Sequence, residues 1–179
     1  YNNLTSLDLS KNTSLANVTN AMIGNQSVSL KANFDGNMIV IPFENSNLDN
    51  DNYVSSTLDD YGDGSGFNFE SFIAYDVSEI DGGIEYYCNT KLAGSENMKV
   101  SVTVSRDFHQ VSFYADSENT SLIGRAFAND GQSVTAPEIK NPPQCKVLDT
   151  WSDTLDNVTG DKSIYANWKD AHSYSLSSF

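Results

Sequence analysis

The densest group of chemically useful side chains is Asp59-Asp60-Tyr61-Gly62-Asp63-Gly64-Ser65-Gly66, with Glu70 shortly after. Hard oxygen donors interleaved with glycine can wrap a divalent cation, because glycine permits the sharp turns that bring successive oxygens to one centre. Counted from Asp59, Asp63 stands fifth, Gly64 sixth, Ser65 seventh and Glu70 twelfth, the places a calcium loop uses. Tyr61 stands third, where a carboxylate belongs, and the residues after Gly66 read as strand where such a loop has a helix. Asp59, Asp63, Ser65 and Glu70 are therefore a candidate calcium set. The alternative is a solvated acidic loop with no cofactor.

Other chemistry is sparse. The two histidines, His109 and His172, fall at the start of a strand and in a polar tail. No nucleophile-elbow, zinc-protease or phosphate-loop motif occurs. Carboxylates are numerous enough to supply a glycosidase pair, but such a pair needs a sugar cleft that small β modules seldom form. No enzymatic activity is expected. Phe67, Phe69, Phe72, Tyr75, Tyr86 and Tyr87 lie on strand-like runs. They are read first as core, and, where alternation turns one outward, as a ring for a sugar or a protein hot spot. Trp151 and Trp168 are read as core. Cys88 and Cys145 match no zinc spacing, and either two free thiols or one bridge is compatible with the sequence. Six N-x-S/T sequons, at Asn3, Asn12, Asn17, Asn25, Asn119 and Asn157, are attributed to an Asn-, Ser- and Thr-rich composition and not to glycans.

The elements that must position these groups come in three parts. Leu4, Leu7, Leu9, Asn12 and Leu15 follow the L-x-x-L-x-L-x-x-N-x-x-L order of a leucine-rich repeat, and Leu15, Val18, Met22 and Asn25 make a degraded second copy. So little of a solenoid cannot bury a core alone, and residues 1–31 read as the end of a longer array. Residues 26–105 hold strand-like runs at Val28–Ala32, Met38–Phe43, Phe67–Tyr75, Ile84–Cys88 and Met98–Val104, punctuated by glycine turns. They predict a small antiparallel β-sandwich with a long polar loop from Glu44 to Gly66. Residues 107–169 predict strands at Gln110–Ala115, Leu122–Ala128, Ser133–Ala136, Lys146–Trp151 and Ile164–Trp168, and 170–179 a loose tail.

Charge divides the chain along similar lines. Asp and Glu total 24 against 10 Lys and Arg. From Ala32 to Thr90 there is no Lys or Arg and there are twelve acids, so nearly all of the net −14 lies there. Such a surface excludes a nucleic-acid phosphate binder and a polybasic lipid anchor. No apolar run reaches the ~18 residues of a spanning helix, so no membrane insertion is expected. The chain starts without Met inside a periodic pattern, so an export signal and a wall anchor are expected to lie outside it.

The first part resembles the leucine-rich repeats of bacterial surface proteins, and the run that follows is similar to the β-rich segment that closes such arrays. The third part is the most specific. Val111-Ser-Phe113, Leu122-Ile123, Asp130-Gly131 through Ala136-Pro137, Trp151, Asn157-Val158-Thr159, Asp161 and Ile164 through Trp168 resemble the Listeria–Bacteroides repeat, the B repeat of internalin-type proteins. Thr150 stands where that family usually has Gly, and Pro142-Pro143-Gln144-Cys145 replaces its usual turn, so the strand into Trp151 is expected to be offset. The resemblance implies a mainly β chain made of a solenoid end, a small sandwich and a β-grasp-like module. It also implies a secreted or surface-attached bacterial protein of the adhesion type. Its partner would be an unidentified protein or glycan on a host or neighbouring cell. A carbohydrate-binding module and a purely structural stalk are the other readings.

Overall fold

The computed structural model describes residues 4–9, 24–43, 48–68, 70–92 and 96–171. Those residues are mainly β, without an α-helix, and the chain forms two compact units, Tyr1–Asp107 and Phe108–Phe179.

The first unit is sandwich-like. One sheet has the order β1 (Gln26–Lys31), β8 (Met98–Ser105), β7 (Ile84–Cys88), β4 (Tyr53–Ser56). The other has the order β2 (Asn33–Asp35), β3 (Met38–Pro42), β6 (Ser71–Ala74), β5 (Gly66–Asn68). Alternation makes the inner faces. Met98, Val100 and Val102 are buried, and they pair across the ladder with Cys88, Tyr86 and Ile84. Opposite them, Ile39 pairs with Ala74 and Ile41 with Phe72, again all buried. The rings of Phe43, Phe72 and Tyr86 meet between the sheets at centroid distances of 5.0 to 5.5 Å. Phe67 completes the group, stacked on Tyr53 at 4.7 Å and edge-on to Phe72 at 5.4 Å. Each fully buried large side chain contributes about 1.5–3 kcal/mol.

Three details differ from the sequence expectation. The sandwich is not wholly antiparallel, because β1 lies parallel to β8 from Gln26↔Val100 to Lys31↔Ser105. The run Phe67–Tyr75 is not one strand but the hairpin of β5 and β6, with Phe67 paired to Phe72. Asn68, Glu70 and Ser71 alternate or abut with phenylalanines as a half-buried strand would, and neither Gly nor Pro marks the bend. The stretch from Glu44 to Gly66 is also not a bare loop. It contains the edge strand β4 and a 3-10 turn over Thr57–Tyr61 that buries Leu58.

Leu4, Leu7 and Leu9 are half-buried and form no strand. Backbone bonds tie this segment to the first unit: the Tyr86 hydroxyl donates to the Thr5 carbonyl at 2.6 Å, and the Leu9 amide donates to the Thr90 carbonyl at 2.7 Å. Asn12, Leu15, Val18 and Met22 lie outside the described residues.

The second unit is one mixed sheet in the order β10 (Leu122–Asn129), β9 (Phe108–Tyr114), β12 (Lys162–Asp170), β11 (Lys146–Trp151). Its central pair, β9 and β12, is parallel, and both edge strands run antiparallel to their neighbours. Val111, Phe113, Ala128, Val134, Val158 and Ile164 make the core. Gly124 lets Pro137 lie against β10, since a Cβ there would come within 3.1 Å of the proline ring. Residues 133–136, expected as a strand, are irregular, with a single bridge beside them between Gln132 and Val158. Pro137 lacks an amide donor, which explains why the ladder does not continue there. In β11 the register shifts between Leu148 and Thr150.

Trp151 meets Phe113 edge-on at 5.0 Å and packs on the core from a half-buried position. The indole N–H of Trp168 donates to the Ala115 carbonyl at 2.8 Å. Replacement of Phe72 by Ala is expected to cost about 3–5 kcal/mol and of Trp151 by Ala about 2–3 kcal/mol, because only the first is fully enclosed. Urea unfolding of the two variants checks the order; equal losses would mean that the exposure of Trp151 does not matter.

Candidate functional site

The acidic loop connects β4 to β5, and its shape comes from hydrogen bonds that the side chains make to it. Asp59 folds back on Ser56 as a capping box. Its Oδ2 accepts from the Ser56 amide at 2.8 Å and from the Tyr53 hydroxyl at 2.6 Å, while Oδ1 accepts from the Ser56 hydroxyl at 3.3 Å. Asp63 Oδ1 accepts from the Ser65 amide at 3.0 Å. The Ser65 hydroxyl donates to Glu79 Oε2 at 2.6 Å, and the Tyr75 amide donates to the same oxygen at 3.3 Å. Glu70 lies at the bend between β5 and β6, with an exposed side chain, and its carbonyl accepts from the Phe43 amide.

Of the four candidate ligands, Asp59, Asp63 and Ser65 thus sit on one loop, with the Ser65 hydroxyl turned to Glu79. No group of three or more His, Cys, Asp and Glu suited to a metal ion occurs among the described residues. Glu79, only 6% exposed, is the group that sequence reasoning missed. It ends a short 3-10 turn over Val77–Glu79 capped by Asp76, and its partner Ser65 is fourteen residues away, so no local spacing announces the contact.

Burial shifts these groups. Burial raises the Glu79 carboxyl above its ordinary range; the bonds from Ser65 and Tyr75 pull the other way, and the charges of Asp63 and Asp76 push further up. For Asp63, burial also raises, but the bonds from Ser65 and Glu79 and its own backbone outweigh it, and the carboxyl is held low. Burial pushes the Tyr53 hydroxyl well up, and its bond to Asp59 adds to this.

Beside the loop lies a cleft of about 390 Å³ on the outer face of the second sheet. Alternation explains its floor. Phe72 and Ala74 point inward, so Ile73 and Tyr75 face outward, and Met38 on β3 faces the same way. Asp59, Asn68 and the backbone of Gly64–Gly66 form the remaining wall. Two glycines are required here. A Cβ on Gly66 would lie 2.7 Å from Asp59 Oδ1, and one on Gly64 would touch the Tyr75 ring at 3.5 Å, both at positive φ. Asp59, Asp60 and Asp63 make no ion pair among the described residues. Other acids of the segment are paired from outside it, Glu85 by Lys99 and Asp81 by Arg106.

The remaining candidates are separate from the cleft. His109 Nε2 lies 2.9 Å from Asp130 Oδ1 in the second unit, and His172 lies outside the described residues. Both thiols are free. Burial pushes Cys88 up to about 11 against an opposing bond from the Leu7 amide, whereas Cys145 is exposed. Comparison with known proteins finds no match, whether to a family model, a curated protein or a solved structure.

Two measurements follow from the burial of Glu79 and Cys88. A carboxyl whose folded pKa is raised favours folding most below its unfolded value near 4.5, and this contribution is lost as pH rises through the folded value. Glu79→Gln should therefore gain stability relative to the parent between acid and neutral pH, read as a difference of unfolding midpoints. A gap that stays constant with pH would contradict this. A thiol reagent at neutral pH should modify Cys145 promptly and Cys88 only after denaturation, counted by mass spectrometry.

Proposed function

We propose that this chain is a non-enzymatic interaction module of a bacterial surface protein, the end of a longer solenoid followed by two β modules, acting by surface complementarity and not by chemistry. The observation that carries the reading is the cleft beside the acidic loop. It has an apolar and aromatic floor, one carboxylate wall and a glycine backbone, no histidine, cysteine or lysine lines it, and the Ser65 hydroxyl is turned to the buried Glu79 behind it. That composition suits holding a ligand more than transforming it.

The mixed four-stranded sheet with its parallel central pair supports a β-grasp-like assignment for the second module, although the crossing from Asp130 to Cys145 is irregular where a β-grasp has a helix. The half-buried Leu4, Leu7 and Leu9, tied through Thr5 to Tyr86 on β7 and through Leu9 to Thr90 just beyond it, support the reading of residues 1–31 as a closing turn. Calcium remains part of the proposal only as an optional guest of Asp59, Asp63, Ser65 and Glu70.

Beads coated with the protein should adhere to cell surfaces or to extracellular proteins and glycans more than beads coated with an unrelated protein of equal charge. The same protein should show no turnover on glycoside, peptide or ester substrates. Measurable turnover on any of them would replace this reading with an enzymatic one.

A further inference from the structure

Three other features lead less far. The His109–Asp130 pair belongs to no group of three His, Cys, Asp or Glu suited to a metal among the described residues. The cleft of about 250 Å³ at Asp81–Glu85 and Ser101–Val104 is walled by two strands and a turn, and its acids Asp81 and Glu85 are already paired. In the second unit, the cleft of about 300 Å³ at Ser121–Ile123 and Glu138–Asn141 has both signs of charge on one short segment and selects no guest.

The cleft beside the acidic loop selects one. We infer that the cleft formed by Met38, Asp59, Gly64–Gly66, Ile73 and Tyr75 receives an arginine side chain from a basic segment of a partner protein. The inference rests on the interaction-module reading and names the chemistry of its ligand. A guanidinium on an aliphatic stem matches the lining part by part. The stem lies on Met38 and Ile73, the flat cation on the Tyr75 ring, and the fork of N–H donors meets the Asp59 carboxylate and the Asn68 amide oxygen.

The wall is built before the guest arrives. Tyr53 and Ser56 hold the Asp59 carboxylate in place, and its Oδ1 rests on Gly66 where any side chain would displace it. Little side-chain entropy then remains to be lost on binding. Charge points the same way. The segment 32–90 carries twelve acids and no internal cation to compete for the position. Asp60 and Asp63 are exposed on the same loop and extend the negative field toward solvent, which steers a basic partner to the cleft. Arginine is favoured over lysine because a compact ammonium neither stacks on the ring nor makes a forked contact.

Asp59 is a poor test position, because its loss also releases Tyr53 and the 3-10 turn. Adding a cation inside the cleft avoids this. Titration calorimetry with a capped tetra-arginine peptide should show binding that weakens as salt rises from about 20 mM to about 300 mM. Ile73→Lys, which supplies the cleft with its own ammonium, should weaken it by about tenfold or more. Val54→Lys changes net charge equally on the 46%-exposed Val54 of β4, outside the cleft, and should weaken it less than about threefold. If Ile73→Lys does not fold, Met38→Lys on the same floor reads the same quantity. Equal losses in the two lysine variants, or no binding by the parent at low salt, would overturn the inference, as would equal affinity for tetra-lysine. Adhesion of coated beads without arginine-peptide binding would leave the interaction-module reading standing and remove only this ligand. Peptide binding without adhesion would do the reverse.

Discussion

Phe72 is the contact on which the first unit depends. It is fully buried and touches the rings of Phe43, Tyr53, Phe67 and Tyr86, which come from both sheets. Rings at 5.0 to 6.2 Å, mostly edge-to-face, fix the spacing of two short-stranded sheets whose inner faces otherwise carry aliphatic side chains such as Ile39, Ile41, Ile84 and Met98. Two members of this group also carry a hydroxyl that bonds outside the ring cluster. The Tyr86 hydroxyl holds the backbone of Thr5, and the Tyr53 hydroxyl holds Asp59. The packing of the core and the form of the acidic loop are therefore one arrangement, since the ring that fills the interior also positions the carboxylate outside it.

The concentration of acid between Ala32 and Thr90 takes on a more specific meaning in this setting. A segment with no internal cation holds its carboxylates with cations from outside it, as at Asp81 and Glu85, or with neutral donors, and the loop uses the amides and hydroxyls of Ser56 and Ser65 and the Tyr53 phenol. Neutral donors stabilise a carboxylate without cancelling its charge. The surface thus stays negative while its geometry is held. The cost is the burial of Glu79, which receives two hydrogen bonds while Asp63 and Asp76 both oppose its ionisation. The second unit is organised differently. Three of its nine acids meet lysines, in Lys146–Asp170, Lys162–Asp153 and Lys169–Asp149, partly to largely exposed pairs that add little stability, and residues 108–179 keep a net charge of −4.

Legibility in the sequence followed periodicity. The strand Met98–Ser105 alternates cleanly, and its buried positions Met98, Val100 and Val102 can be read directly from the residues. Central strand β9 is largely buried on both faces, yet the alternation of Val111 and Phe113 with Gln110 and Ser112 was enough to identify it as a strand. The hairpin within Phe67–Tyr75 was hidden, because its inward residues Phe67 and Phe72 and its outward residue Ile73 are all apolar and no glycine or proline marks the turn. β4 was hidden for the opposite reason: Tyr53-Val-Ser-Ser56 is short and polar, and becomes a strand only because β7 offers it an edge. The spacing of Asp59, Asp63, Ser65 and Glu70 could be read from the one-dimensional order, whereas the contact of Glu79 with Ser65 could not. In space the chain bends at Glu70 into the β5–β6 hairpin and brings Glu79 to Ser65.

What the amino-acid sequence determined by itself was the mainly β character, the break in charge between the acidic segment and the rest, and the glycine-rich acidic loop as the place of interest. These are local or additive properties: side-chain period, formal charge, and the conformational freedom of glycine at φ values that other residues resist. Only the tertiary structure decided that β1 pairs in parallel, that Glu79 lies buried behind Ser65, and that Met38, Ile73 and Tyr75 share one outer face with Asp59. Each of these joins positions far apart in the chain. Their pairing depends on which strands find each other once Phe72 and its neighbouring rings have closed the core, and no spacing in the sequence encodes that distance.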